Sequence, residues 1–428
     1  MLSRLSSTLY GAGTLLIGAL VLRGPLGLTV SDLFFAAAIV IAVANETSRK
    51  RRITIGATRT ALLGAALFSV GGLIASAFSS HRASSFGALV RLDYVMVIWV
   101  WFAPVVVQST SMVVTQMRLW SISAAATAVF ALIQLGTGLF IPSGATGSGR
   151  MTGLTQDVTD LGGVTAIALV PSWMFVIAPR ISALKRALAG SVAGLVSIGL
   201  VLSGSVTGLI AAATAIVVWT VLLRRWKELA AIAAVLVLAV AATSGVQLLR
   251  HAQPPVVRVA EVLGIGGPDR RPFTATYWTR LSTDMAAVNS ILRNPFVGAG
   301  LDNASAEDRL HSLVHNIYLE AGVGAGALGL VGVVLLTFAP LDGEIRRLLR
   351  DPTTATLTAP LLGSAAAFLA FGLAAPILLA RYAWFPLAML VALRYATRPP
   401  GDPPSAKVGH QGNNEEADRQ HGGAGREL

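Results

Sequence analysis

Residues 188–227 read LAGSVAGLVSIGLVLSGSVTGLIAAATAIVVWTVLLRRWK. From Leu188 to Leu223 the stretch holds no charged side chain, and Ser203-Gly204-Ser205 divides it into two apolar halves. Each half is close to the length, about 17–25 residues, that a helix needs to cross the hydrocarbon of a bilayer. The second half stops at Arg224-Arg225 and Lys227. Two helices of this composition, joined by a tight polar turn, predict membrane spans over 188–203 and 206–223.

Similar apolar runs continue in both directions, at 8–22, 26–44, 58–78, 92–107, 119–141, 161–178, 228–246, 314–338, 355–379 and 382–397. The expected fold class is therefore an all-α membrane protein of about twelve transmembrane helices. Composition agrees. Hydrophobic residues make up 54% and charged residues only 13% of the 428, where soluble domains carry about 25% charged. The net charge of +12 lies largely in short basic clusters between apolar runs. Membrane topology explains that pattern better than nucleic-acid binding does, and no nucleic-acid partner is expected. The absence of cysteine excludes disulfides, thiol catalysis and cysteine-ligated metal. The first apolar run leads directly into the second, as a retained first span would.

Threading twelve spans places Arg49–Arg52, Arg118, Arg180 with Lys185 and Arg186, Arg224–Lys227, and Arg346 with Arg347 and Arg350 on one side. By the positive-inside rule that side is the cytoplasm, with both termini there and the chain in the plasma (inner) membrane. The long connections fall opposite. One, 142–160, holds Arg150, Asp157 and Asp160; the other is a large non-cytoplasmic loop over 247–313. Within it, Tyr277, Trp278, Leu281, Met285, Val288 and Leu292 recur at helical spacing, predicting an amphipathic helix over about 274–293 that lies flat at the membrane surface. Arg280 projects away from that stripe, toward water or a cavity. A shorter amphipathic piece is expected over Val256–Leu263. The polar tail, 398–428, is expected to be disordered and cytoplasmic, leaving 1–397 as one polytopic membrane domain.

The chemistry concentrates in residues 294–330, NPFVGAGLDNASAEDRLHSLVHNIYLEAGVGAGALGL. An Asn-Pro-Phe-x-Gly-x-Gly turn is followed by His315-Asn316-x-Tyr318-Leu319-Glu320 at the mouth of a span. Upstream stand Gly149-Arg150-Met151-Thr152-Gly153-Leu154 and the helix bearing Trp278-x-Arg280. Together these segments resemble the O-antigen ligase and O-antigen polymerase superfamily of membrane glycan transferases. The resemblance covers about residues 145–335. Two departures stand out: Asp157-Val158-Thr159 replaces the family's Asn-Pro-Asn, and Val206 stands where the family places an arginine on the lipid diphosphate.

The resemblance implies a GT-C-like membrane glycosyltransferase that is metal-independent, inverting and without a cofactor. Its donor would be a polyprenyl-diphosphate-linked glycan, its acceptor a glycan, lipid or protein at the outer face; ligase and polymerase fit equally. Charge logic supports the same residues. A departing diphosphate needs cations, and the arginine fork suits phosphate oxygens. A neutral histidine can take a sugar hydroxyl's proton near pH 7. His315 and Arg280 are the expected catalytic pair, with Arg150, Arg271 and Asn316 binding substrate. Plainer roles stand beside these: an interfacial His315 on a backbone carbonyl, Arg280 paired with Asp284, Arg150 on lipid headgroups, and Arg270-Arg271 gripping either phosphate or headgroups. Glu307, His311 and His315 share a four-residue step that would line one helical face with metal ligands if the helix continued. The glycines after Glu320 read as close helix packing, and Asp32 and Asp93 as partly solvated span ends. A multi-pass transporter or flippase of solutes or lipid-linked sugars is the alternative; it would favour mid-span charges and broken helices.

Overall fold

Hydroxyl and carboxylate side chains set where the spans begin. Thr58, Ser109, Asp157 and Ser205 each accept a hydrogen bond from a backbone N–H in the first turn of the helix that follows. Gly138 and Gly204 end their helices in the left-handed region, at φ 70° and 56°. The computed structural model describes residues 2–22, 28–50, 53, 55–139, 150–224, 226–249, 257, 272–350 and 355–397.

In chain order the helices are α1 (Leu2–Leu15), α2 (Val30–Ser48), α3 (Arg59–Phe78), α4 (Arg82–Val106), α5 (Thr110–Thr137), α6 (Val158–Ile177) and α7 (Ala183–Ser203). They continue with α8 (Val206–Leu223), α9 (Trp226–Leu249), α10 (Pro272–Arg293), α11 (Asn303–Leu310), α12 (Ile317–Arg350), α13 (Ala355–Gly372) and α14 (Arg381–Ala396). Among the described residues, nine helices are long and apolar enough to cross a membrane: α2 to α8, α12 and α13. The other three runs expected to span fall on α1, with 14 residues, on α9, whose apolar part is Ala230–Ala241, and on α14, with 16. The chain is an all-α polytopic membrane protein.

The interior is organised around α14, which is buried from Arg381 through Leu393. Its Phe385 joins an aromatic column with Trp120 of α5, Trp99 of α4, Phe35 of α2 and Tyr10 of α1, with centroid separations of 4.6–6.4 Å. Rings at such spacing contribute beyond their buried area, about 0.5–1.5 kcal/mol per pair. The column draws three spans and the first helix onto one helix.

Two features position the site. First, α12 is broken at Gly326, whose φ of 70° and ψ of −169° no helix contains. The Asn294–Gly300 turn fills the break. Ala327 N donates to Pro295 O (2.7 Å), Ala299 N to Val323 O (2.7 Å) and Gly300 N to Gly324 O (3.1 Å). The glycines thus let a loop backbone lie against this span, while on another side α3 packs closely on it, Gly71 against Ala325 and Gly329 and Gly64 against Gly332. A Cβ on Gly298 would sit 2.1 Å from Gly324 O, so backbone would have to move. Gly298→Ala is expected to destabilise the folded protein by about 1–3 kcal/mol or more, read as a lower melting temperature in detergent.

Second, α13 stops at Gly372 rather than near 379. Pro376 cannot extend a helix and restricts the residue before it. The apolar connection from Leu373 to Ala380 therefore does not continue the span, and most of it lines the cavity described next.

Candidate functional site

The helix α10 has two unlike faces. Trp278, Met285, Val288 and Leu292 point outward, 42–72% exposed. Thr283 and Ala287 on the opposite face are buried, and Ile291 packs against Ala287, Val314 and Val323. The inward face therefore carries small residues together with Arg280, whose Nη1 donates to the Ala374 carbonyl at 3.3 Å. Arg280 is brought onto the body of the protein because the apolar stripe takes the other side.

His315 arrives from a different direction. α11 ends at Leu310, and His311 closes it in the left-handed region at φ 54°. The chain then runs without regular secondary structure through Leu313–His315, and Asn316 leads into α12. Asn316 Oδ1 accepts from Tyr318 N (3.0 Å) and Leu319 N (3.3 Å), so this asparagine caps the helix behind the histidine.

Arg280 and His315 meet at one cavity of about 460 Å³. Asp157 and Asp160 line it from the start of α6, Glu320 from the first turn of α12, and Arg381 from the start of α14. Asp160 accepts from Tyr382 Oη at 2.9 Å. Arg381 is buried and paired through Nε with Asp32 Oδ1 at 2.6 Å. Three of the residues around the cavity hold a buried polar atom with no hydrogen-bond partner among the described residues: His315 Nδ1, Glu320 Oε2 and Arg381 Nη2. Buried polar groups are nearly always satisfied, and an orphan costs about 1–3 kcal/mol. A cluster of both donors and acceptors is what a polar ligand satisfies.

Electrostatics keep His315 neutral. Burial lowers its pKa first, and the Arg280 guanidinium lowers it further; the Leu313 backbone and Asp284 oppose both. Asp284, one turn beyond Arg280, is pushed up by burial and pulled back by His315 and Arg280. Arg280 is itself lowered by burial and raised by Asp284. A group that must be neutral to work loses activity as pH falls through its folded pKa. The acid limb of any His315-dependent rate is thus expected below the ordinary histidine value of about 6.5. Removing the neighbouring cation in Arg280→Gln should move the His315 titration up, and Asp284→Asn should move it down. Histidine ¹⁵N NMR across a pH series reads both.

The other residues singled out in the sequence are placed differently. Arg150 is not among the residues lining the cavity. Its Nε donates to Ser203 O at 2.8 Å, and its stem lies against Gly204, in the turn that carries Val206. The Arg150–Leu154 segment is fixed there by Gln134, which binds Thr152 and Gly153 through both ends of its amide. Arg271, Gly149 and the Val256–Leu263 piece, apart from Val257, lie outside the described residues, as do 398–428. Glu307, His311 and His315 do not share a helical face, because the helix ends between the first and the second. Asp32 is not partly solvated: it is 2% exposed and ion-paired.

Sequence reasoning missed Arg381, Glu320 and the Asp160–Tyr382 pair. A signal for Arg381 existed, since it falls between two apolar runs on the side where the positive-inside pattern has no cation cluster. Its partner Asp32 lies 349 residues away, so the pairing itself was not readable.

Residues 191–334 match the family described as O-Antigen ligase. The matched region holds Val206, Arg280 and the 294–330 segment, and Arg150 lies just before it. No curated protein matches the chain.

Proposed function

We propose that this O-antigen ligase-like membrane protein transfers a glycan from a polyprenyl-diphosphate-linked donor to an acceptor at the outer face of the plasma membrane. The observation that carries the reading is the meeting of Arg280 and a neutral His315 at one cavity that also holds unsatisfied polar groups. In the reaction, an acceptor hydroxyl attacks the anomeric carbon as the bond to the diphosphate oxygen breaks. His315 takes the hydroxyl proton, and Arg280 receives the charge that gathers on the leaving diphosphate. A single displacement of this kind inverts the anomeric centre and asks for no metal. Asp157 and Asp160 supply acceptors for sugar hydroxyls. Arg150, held beside Ser203 and Gly204 in the turn that carries Val206, is a candidate to substitute for the missing family arginine, and Arg271 is a further candidate for the donor.

The exposed stripe of α10 fits a helix lying in the membrane interface, beside the lipid tail of such a donor. Single cysteines test the sidedness in this cysteine-free chain. A membrane-impermeant thiol reagent applied to intact cells is expected to label Asn303→Cys and to leave Arg346→Cys unmodified.

One observation favours transport: the break in α12 is of the kind that transporters use. Here, however, the freed backbone groups are taken by the Asn294–Gly300 turn, not left to line a path for a solute. Purified protein in liposomes with a lipid-linked glycan separates the readings. A transferase joins glycan to acceptor with or without EDTA. Products that lengthen without added acceptor identify a polymerase, and products that need one identify a ligase. Translocation without any new glycosidic bond would identify a transporter.

A further inference from the structure

We infer that Arg381, held in place by Asp32, is a second diphosphate-binding residue of this site, acting beside Arg280; the inference rests on the transferase reading above. Arg381 is 4% exposed, and its nitrogens are unequally used. Nε pairs with Asp32 Oδ1 at 2.6 Å and Nη1 donates to Leu379 O at 3.1 Å, while Nη2 is buried with no partner among the described residues.

Asp32 is fixed in turn. Its Oδ2 accepts from Thr29 N (2.5 Å) and Thr29 Oγ1 (2.9 Å), and its backbone carbonyl accepts from Tyr94 Oη (3.0 Å). The guanidinium is thus oriented from two sides before any ligand binds. An ion pair buried this deeply is weak support for stability, and apolar residues of similar size often do as well. A half-satisfied one is worse. Arg381 lines the cavity, and its unused nitrogen is explained if a ligand oxygen completes it.

Charge decides what that ligand oxygen belongs to. Asp32 cancels the net charge of Arg381, so Arg381 offers directed N–H donors, while Arg280, from α10, offers net positive charge. Two guanidinium groups from separate elements match an anion with several oxygens on two phosphorus atoms better than one with a single phosphate. Asp32 is a positioning residue, since it acts through Arg381.

The test uses the full chain in phosphatidylcholine nanodiscs and measures binding of a polyprenyl diphosphate and of the matching monophosphate. Wild type is expected to prefer the diphosphate. Arg381→Lys keeps a cation on Asp32, and should lower diphosphate affinity about tenfold, the scale of one charge-assisted hydrogen bond, with an unchanged melting temperature. The double variant Asp32→Asn/Arg381→Gln leaves no buried charge behind and should show the same loss of preference. Asp32→Asn alone should narrow the preference while leaving monophosphate binding as it is, which a purely structural role would not do. Wild-type affinity and preference in both Arg381 variants would overturn the inference and leave the transferase reading standing. Failure of both variants to fold would make Arg381 structural and would also overturn it. Loss of carrier binding when phosphatidylglycerol is added would reassign the site to lipid headgroups. A wild-type protein that binds no polyprenyl diphosphate would remove the transferase reading together with this one.

Discussion

His315→Ala is expected to lower transfer turnover by about 10²- to 10⁴-fold, the range for losing a positioned general base. Binding of the lipid-linked donor should change little, because the donor's diphosphate is held by arginines. The effect should be specific to this imidazole. His311 is exposed and closes α11 instead of lining the cavity, so His311→Ala should retain most of the activity. His315 is only half-buried and lies in a segment without regular secondary structure, so the substitution leaves no large apolar void. Equal melting temperatures would secure the comparison. Wild-type turnover in His315→Ala, with activity lost in His311→Ala, would mean that the wrong histidine has been given the proton.

Arg280→Lys is the second large effect. Lysine keeps the charge but has no fork, so it cannot present two parallel N–H groups to the diphosphate. A charge-assisted hydrogen bond is worth about 1.5–3 kcal/mol, so transfer is expected to fall about 10- to 100-fold. The loss should appear in kcat as well as in donor affinity, since charge on the diphosphate grows in the transition state. Arg293, on the same helix and near a different, more open cavity with Arg309 and Asn294, is the matched control. Arg293→Lys should be close to neutral.

The residues explain why some of this could be read from the sequence and some could not. Span positions were legible because lipid demands long apolar runs, and Leu188–Leu223 could hardly be anything else. Span ends were less legible. The last residues of the 355–379 run are as apolar as the rest, and only Pro376 marks that they turn away to line a cavity. Arg280 could be placed away from the Trp278, Met285 and Leu292 stripe because helical geometry fixes that angle, but whether it faces water or a cavity could not be read. The glycines after Glu320 read as close helix packing, which α3 supplies, but composition alone does not say that the Asn294–Gly300 loop backbone approaches as well. Glu307, His311 and His315 form no common face because a four-residue step means one face only while the helix continues, and His311 ends it. Arg381 and Asp32 each looked like an ordinary flank of an apolar run. Only the folded chain brings them together.

The most direct test of the account is a cryo-EM structure of the protein in nanodiscs with a lipid-linked glycan bound. The account predicts the diphosphate in the 460 Å³ cavity, within hydrogen-bonding distance of the Arg280 guanidinium, with the anomeric carbon facing His315. A donor whose diphosphate binds elsewhere, at the Arg293–Arg309 cavity for instance, with no density beside Arg280 and His315, would contradict it.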